Sequence, residues 1–123
     1  MKIAILEDNP GMGRMLQLNL ENAGYEAHTF QTARDFLSFF ALSNIDLLIT
    51  DYRLMTEQGK SNLSGADVIR HVRTISPELP AILISAAPIF ELQDAVRDIP
   101  GVVILQKFFK MKKLLETIQT FSR

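Results

Sequence analysis

The chain has 123 residues, a net charge of −1 at pH 7 and no cysteine, and 47% of its residues are hydrophobic. This length is enough for one domain with a full core, and the balanced charge argues against nonspecific binding to nucleic acid or membrane surfaces. Without cysteine the chain forms neither disulfides nor thiolate metal sites, and no apolar run approaches membrane-spanning length. We therefore expect one domain over residues 1–123 of a cytoplasmic protein that contacts neither nucleic acid nor membrane directly.

The amino-terminal part of the chain predicts a strand followed by a helix. Lys2–Leu6 is a short apolar run that predicts the strand, and the acids Glu7 and Asp8 follow it directly. Asn9 and Pro10 then favour a helix start, because Asn caps helices and Pro suits the first helical position. The expected apolar stripe of this helix, closed by Gly24, is Met12, Met15, Leu16, Leu20 and Ala23.

A second strand and a second helix come next. Tyr25–Phe30 is a more polar strand pattern that suits the edge of a sheet, and Thr32 predicts the cap of the following helix. The inward positions of that helix are expected to be Ala33, Phe36, Leu37 and Phe40, with Phe39 off the stripe.

The stretch Asp46–Asp51 carries four uncharged, mostly branched residues straight into an acid. An apolar run without polar alternation is typical of a strand buried on both faces of a parallel sheet. Such a strand places its last residue, Asp51, at the carboxyl edge, where open α/β sheets bind ligands. The polar segment Tyr52–Leu63 is predicted to be an irregular loop, mobile over Thr56–Ser64 because it offers little apolar surface to bury.

The second half of the chain continues the alternation of strands and helices. Ser64 and Asp67 form a capping-box pattern that opens a third helix. Two further strands, each ending near a polar residue, are Ala81–Ile84 before Ser85 and Val102–Leu105 before Lys107. The inward residues of the last three helices are expected to be Val68, Ile69, Val72 and Ile75, then Ile89, Leu92, Val96 and Ile99, then Met111, Leu114, Leu115, Ile118 and Phe121.

Five strands alternating with five helices predict an α/β fold, a doubly wound parallel sheet with helices on both faces. Right-handed crossovers favour the flavodoxin-like strand order 2-1-3-4-5. The first and third strands are neighbours in that order, so Glu7, Asp8 and Asp51 converge at one edge of the sheet. Ser85 and Lys107 arrive at the same edge from the next two strands.

Three carboxylates at one edge raise one another's pKa values unless a cation neutralises them. Mg²⁺ fits this role because it prefers oxygen ligands and keeps waters at an incomplete carboxylate site. A metal beside Asp51, Ser85 and Lys107 suits phosphoryl transfer, with Asp51 as nucleophile and the other two holding phosphoryl oxygens. Each residue alone also fits a cap, a turn or a solvated surface position, so the ordered set carries the prediction.

This ordered set resembles the response-regulator receiver domain of two-component signalling, the CheY-like superfamily. The matching positions are Glu7 and Asp8 as the acidic pair, Asp51 as phosphoacceptor, Ser85 as the hydroxyl and Lys107 as the lysine. The resemblance implies Mg²⁺-dependent transfer of a phosphoryl group from phosphohistidine to Asp51. The metal ligands it implies are Asp8 directly, Glu7 through water, Asp51, and the backbone carbonyl of Arg53.

The resemblance also implies a signalling switch with self-catalysed phosphotransfer and autodephosphorylation, rather than a turnover enzyme. The implied partners are a sensor histidine kinase or phosphotransfer protein and a downstream effector. The effector would bind the face of the fourth helix, fifth strand and fifth helix, and a homodimer is left open. This chain carries no output domain, so we expect either a stand-alone regulator or a fragment of a larger one.

The sequence departs from the family pattern in three respects. After the phosphoacceptor, Met55 replaces a proline and the fitting glycine, Gly65, comes late in the chain. Phe108 replaces the proline that usually follows the lysine, and Ile104 replaces an aromatic residue that rotates on phosphorylation. Because β-branched Ile104 is stiff at χ1, we expect the signal to leave through the segment Ala86–Val96 instead.

Two rival functions stay open from the sequence. A pseudo-receiver would bind a partner without phosphorylation, which the departures allow and the intact acidic set disfavours. A small flavodoxin-like enzyme or nucleotide binder would need a Gly-rich phosphate loop after the first strand, where the sequence is only weakly suggestive.

Overall fold

The computed structural model describes residues 1–56 and 59–121, with side chains described outside residues 55–62. In chain order the elements are β1 (Lys2–Leu6), α1 (Pro10–Asn22), β2 (Glu26–Phe30), α2 (Ala33–Leu42), β3 (Leu47–Asp51), β4 (Arg53–Thr56), β5 (Gly59–Ser64), α3 (Gly65–Ile75), β6 (Ala81–Ser85), α4 (Ile89–Ala95), β7 (Val102–Gln106) and α5 (Met111–Gln119). Within these described ranges, none of the helices is long and apolar enough to cross a bilayer.

The main sheet has five parallel strands in the order β2-β1-β3-β6-β7, which confirms the predicted flavodoxin-like arrangement. β1 and β3 are neighbours, and Leu6 lies beside Thr50 in their register. The acidic pair that follows β1 and the acid that ends β3 therefore reach the same edge. β6 and β7 lie next in line, which brings Ser85 level with Gln106.

The sheet is buried on both faces because alternate residues of the central strands enter two separate cores. Ile3 and Ile5 pack with α1 and α5, whereas Ala4 and Leu6 pack with α2, α3 and α4. Every residue of β3 is buried, as the apolar run of its sequence predicts. Because β3 is buried on both faces, the position of Asp51 at its carboxyl end is fixed.

The predicted helix starts are confirmed by their hydrogen bonds. The Asn9 side chain accepts from the backbone N–H of Met12, and the Thr32 hydroxyl accepts from that of Asp35. Ser64 and Asp67 form a reciprocal capping box at the start of α3. These caps hold the amino-terminal ends of α1, α2 and α3. Of these helices, α1 and α2 follow the carboxyl ends of the main-sheet strands β1 and β2.

Four residues assigned to inward stripes are exposed instead, and one of them, Ala23, lies just beyond the end of α1. Met15 is 42% exposed, Ile75 is 65% exposed and Ile89 is 41% exposed. Ile75 is the last residue of α3 and Ile89 the first of α4, whereas Met15 lies at the margin of the apolar face of α1. The prediction was wrong at these margins and right at the stripe centres, such as Leu16 and Leu92.

The predicted irregular loop after β3 is wrong, because β4 and β5 pair as an antiparallel ribbon. Arg53 lies opposite Ser64, with a register irregularity before the pairs nearer the turn. The polar segment lacks the alternating apolar pattern by which strands are recognised, so its sequence does not indicate the pairing. The expected mobility of Thr56–Ser64 stays a prediction, and residues 57 and 58 lie outside the described residues.

Candidate functional site

A cleft of about 440 Å³ opens at the carboxyl edge of the main sheet. Its lining contains most of the residues predicted from the sequence, together with a short segment that follows β6. The lining residues are Asp8, Asp51, Arg53, Ser85, Ala86, Ala87, Pro88 and Lys107. The remaining predicted residue, Glu7, is 3% exposed and contacts Lys107 from β1's end. The topology therefore gathers the whole predicted set in one place.

The acidic cluster consists of Glu7, Asp8 and Asp51, each with a carboxylate oxygen within 4.8 Å of the others. Asp51 is 6% exposed and Asp8 is half-buried. Such a set of hard oxygen donors fits Mg²⁺, which binds through one or two carboxylates and keeps several waters. The structure thus supports the predicted donor set by proximity, while the assignment of direct and water-mediated ligands stays a prediction.

Lys107 supplies the counter-charge for the buried acids. Its Nζ lies 3.0 Å from Asp51 Oδ2 and 3.4 Å from Glu7 Oε1. The Lys107 backbone N–H donates to the Ser85 carbonyl at 2.8 Å, which fixes where the side chain begins. Burial alone would lower the pKa of Lys107, but the hydrogen bond to Asp51 and the two negative charges raise it.

Glu7 has the most perturbed carboxyl group of the cluster. Burial first, and then the hydrogen bond and the charge of Asp51, raise the pKa of Glu7 to about 8. Near neutral pH and without a metal, Glu7 therefore holds a proton that it can share with Asp51. The sequence predicted that the three carboxylates would raise one another's pKa values, and the raised pKa of Glu7 agrees with this prediction.

Ser85 and its neighbours form the floor beside the acceptor. Ser85 is 3% exposed, and its Oγ accepts a hydrogen bond from the backbone N–H of Ala87 at 3.0 Å. Gln106 holds the same peptide segment by donating to the Ala87 carbonyl at 3.1 Å. Gln106 was missed by the sequence reasoning, because its side-chain amide holds a neighbouring backbone segment and offers no reactive group.

Gly65 allows α3 to approach the acceptor strand closely. Its N–H donates to the Tyr52 carbonyl at 2.7 Å, and a Cβ at this position would lie 2.1 Å from the carbonyl oxygen of Asp51. A side chain therefore cannot fit here without moving the backbone that carries Asp51. Gly65, although late in the sequence, therefore lies against Asp51 despite the inserted ribbon.

The two other departures from the family pattern lie on β7 and just after it. Ile104 is partly buried against the core formed with α2, α3 and α4. Phe108 has φ 71° and is 97% exposed, so a bulky residue occupies the left-handed region without burying its ring. The peptide geometry after Lys107 therefore differs from that of a proline, whose φ is fixed at a negative value.

Residues 3–119 match the family described as the response regulator receiver domain. The chain belongs to the receiver domain family. Transcriptional regulatory protein PcoR of Escherichia coli is 30% identical over 128 residues, which cover 99% of this chain and 51% of PcoR. This receiver domain thus spans about half the length of that relative.

Solved structures agree on the fold of the receiver domain. A putative response regulator from Chloroflexus aurantiacus superposes with a TM-score of 0.85 at 22% identity, covering 99% of this chain and 98% of that one. TrrA of Thermotoga maritima, solved in complex with Mg²⁺ and BeF, gives a TM-score of 0.80 at 23% identity, with coverages of 98% and 97%. At these identities the likeness concerns the fold.

We expect the two acids after β1 to contribute unequally to metal affinity in this receiver domain. Asp8→Asn removes a predicted direct ligand, so its loss of Mg²⁺ affinity should exceed the roughly 10–100-fold that an outer-shell partner is worth. Glu7→Gln should cost less, because buried Glu7 already holds a proton near neutral pH. Titration of Mg²⁺ into each variant measures both affinities, and equal or reversed losses would contradict the assignment.

Proposed function

We propose that Asp51 accepts a phosphoryl group from a phosphohistidine donor in an Mg²⁺-dependent reaction that switches an output. The observation that carries the proposal is the environment of this one carboxyl group. Asp51 ends a fully buried strand, lies within 4.8 Å of two further acids and bonds the Lys107 ammonium at 3.0 Å. This combination suits a nucleophile that must be positioned and charge-compensated, which is most of what phosphoryl transfer requires.

In the proposed reaction an Asp51 carboxylate oxygen attacks phosphorus, while the bond between phosphorus and the donor imidazole nitrogen breaks. The nitrogen keeps the electron pair of that bond, and the product is an acyl phosphate on Asp51. Mg²⁺ held by Asp8, Asp51, the Arg53 carbonyl and, through water, Glu7 would supply neutralisation of the phosphoryl charge. Lys107 pairs with a phosphoryl oxygen, since its ammonium already lies against the acceptor.

Ser85 is proposed to donate its hydroxyl proton to another phosphoryl oxygen. The Ser85 Oγ also accepts from the backbone N–H of Ala87, so a movement of Ser85 toward the phosphoryl group would carry the segment after β6 with it. Ile104, which is β-branched and partly buried, is a poor rotameric switch. The signal is therefore proposed to leave through Ala86–Val96.

The domain is proposed to be a substrate with self-catalysis rather than a turnover enzyme. A sensor histidine kinase or phosphotransfer protein would be the donor, and an effector would bind through α4, β7 and α5. PcoR is named a transcriptional regulatory protein, and this chain covers 51% of its length, so the output linked to this domain stays a proposal. A cytoplasmic location follows from the same proposed role.

Treatment with acetyl phosphate and Mg²⁺, followed by intact-mass measurement, tests the proposal. The wild-type protein should gain the mass of one phosphoryl group, and Asp51→Asn or excess chelator should abolish the gain. Asp46→Asn is the matched control, because Asp46 precedes the same strand and accepts from the Lys2 backbone at its far end. Unlabelled wild-type protein would instead favour the pseudo-receiver, which the intact acidic cluster does not support.

A further inference from the structure

The rim of the cleft carries an ion pair between side chains to which the sequence reasoning gave no role. Arg53 begins β4 and lines the cleft, and its Nη2 lies 3.5 Å from Oε1 of Glu91 in the first turn of α4. The side chains are 66% and 40% exposed. The pair thus joins the base of the β4–β5 ribbon to the helix that follows the cleft segment.

The two ends of α4 are anchored very differently. At the carboxyl end Arg70 donates to the Ala95 carbonyl at 2.5 Å and to both Asp98 carboxylate oxygens at 2.7 and 2.8 Å. At the amino end the cap residue is Pro88, which makes no side-chain hydrogen bond, and Phe90 is 72% exposed. The first turn of α4 therefore depends more than the last on the contact between Arg53 and Glu91.

Phosphorylation of Asp51 would add negative charge to the cleft that Arg53 lines. Lys107 already bonds both Asp51 and Glu7, so its single ammonium is shared before any phosphoryl group arrives. A phosphoryl group carries a charge of about −1.5 to −2 and presents several acceptor oxygens. The planar guanidinium of Arg53 suits such a group better than it suits one exposed carboxylate at 3.5 Å.

We propose that Arg53 is a positioning residue that exchanges Glu91 for the phosphoryl group on Asp51 and thereby releases the first turn of α4. This inference rests on the proposed phosphorylation of Asp51 and adds a residue that couples it to the helix. The exchange is non-covalent, so only hydrogen bonds and ion pairs are broken and formed. The exchange would couple Asp51 to α4 without the aromatic residue that position 104 lacks in this chain.

The proposal predicts effects of opposite sign at the two ends of the pair. Glu91→Gln removes the competitor for Arg53, so the affinity for beryllofluoride with Mg²⁺ should rise by about two- to fivefold, the range of an exposed ion pair. Arg53→Gln removes a charged donor to the bound phosphoryl mimic, so the affinity should fall by about tenfold. Arg97→Gln is the matched control, because Arg97 forms an exposed pair with Asp94 at 3.6 Å that does not line the cleft.

The test is beryllofluoride titration by NMR on the wild-type protein, the three variants and the double variant Arg53→Gln/Glu91→Gln. In the wild-type protein the Arg53 Nε–H resonance should move on binding. In Glu91→Gln the free-state amides of α4's first turn should already be displaced toward their bound positions. The double variant should show no gain from Glu91→Gln, since that gain acts through Arg53.

Effects of the same sign, a Glu91→Gln gain that persists without Arg53, or changes as large in Arg97→Gln would each overturn the inference while leaving the proposed phosphorylation intact. Wild-type protein that binds no beryllofluoride in the presence of Mg²⁺ would overturn both. A purely structural role for Arg53 predicts weaker binding in either single variant, so the sign of the Glu91→Gln effect separates the two explanations.

Discussion

Gly65→Ala should destabilise the protein by about 3 kcal/mol, because the new Cβ has no room. It would lie 2.1 Å from the Asp51 carbonyl oxygen and 2.9 Å from the carbonyl carbon, and these backbone atoms cannot rotate away. Either α3 moves outward and loses the bond from Gly65 N–H to Tyr52, or the end of β3 shifts. Urea unfolding followed by circular dichroism measures the loss, which corresponds to roughly 10 °C in melting temperature.

Gly11→Ala is the matched control for this substitution. Gly11 is an exposed residue of α1, and the nearest atom to a Cβ there is the Asn9 side-chain oxygen at 3.3 Å. Alanine is the better helix former, so this variant should be neutral or more stable by up to about 1 kcal/mol. Equal effects of the two substitutions would show that the close approach at Gly65 is not a packing constraint.

Lys107→Met should destabilise the metal-free protein by about 2 kcal/mol near neutral pH. Removing one partner of a buried charge cluster typically costs about 3–5 kcal/mol, and a smaller loss is expected here because Lys107 is 24% exposed. The variant leaves Asp51, which is almost fully buried and lies within 4.8 Å of two further acids, without the ammonium that bonds it at 3.0 Å. Lys112→Met, an exposed substitution on α5, should change stability by less than about 0.5 kcal/mol.

The pH dependence of this loss follows from Glu7. Its pKa is raised from 4.5 to about 8, so its contribution to stability is fully present below 4.5 and is lost as pH rises through 8. Lys107 lowers this pKa in the wild-type protein, so its removal makes ionisation of Glu7 still more costly. The gap between wild-type protein and Lys107→Met should therefore stay nearly constant below about pH 8 and widen as the pH rises through 8, where Glu7 ionises in the wild-type protein but not yet in the variant.

Denaturant unfolding at several pH values, with chelator and with Mg²⁺, measures this prediction. Added Mg²⁺ should recover much of the lost stability in Lys107→Met, because a bound cation replaces the missing ammonium. A gap that stays constant with pH, or that Mg²⁺ leaves unchanged, would mean that Lys107 stabilises the fold by packing alone.

The sheet and the position of Asp51 at its carboxyl edge could be predicted because burial leaves a direct trace in the sequence. β3 and β6 are apolar throughout, as strands buried on both faces must be, and their terminal Asp51 and Ser85 stand out against that background. The capping box at Ser64 is likewise a local signal, formed by residues three apart. Right-handed crossovers then leave few strand orders to choose from.

The parts that escaped prediction depend on backbone pairing or on contacts distant in the chain. The β4–β5 ribbon has no alternating apolar pattern, so its sequence does not distinguish it from a loop. The pair between Arg53 and Glu91 joins two exposed residues of different elements, and neither is unusual in its own segment. The sequence predicted raised pKa values among the three acids but not which acid would be affected. Burial is the main cause of the raised pKa of Glu7, and burial depends on contacts distant in the chain.

The most direct test of the account locates the phosphoryl group itself. The protein is treated with acetyl phosphate and Mg²⁺ and then reduced with borohydride, which converts an acyl phosphate of aspartate into homoserine. Peptide sequencing by mass spectrometry should find homoserine at position 51, and a sample kept in chelator throughout should contain none. A reduced residue at Asp8 or elsewhere in place of Asp51, or equal labelling in chelator, would contradict the assignment of Asp51 as the Mg²⁺-dependent phosphoacceptor.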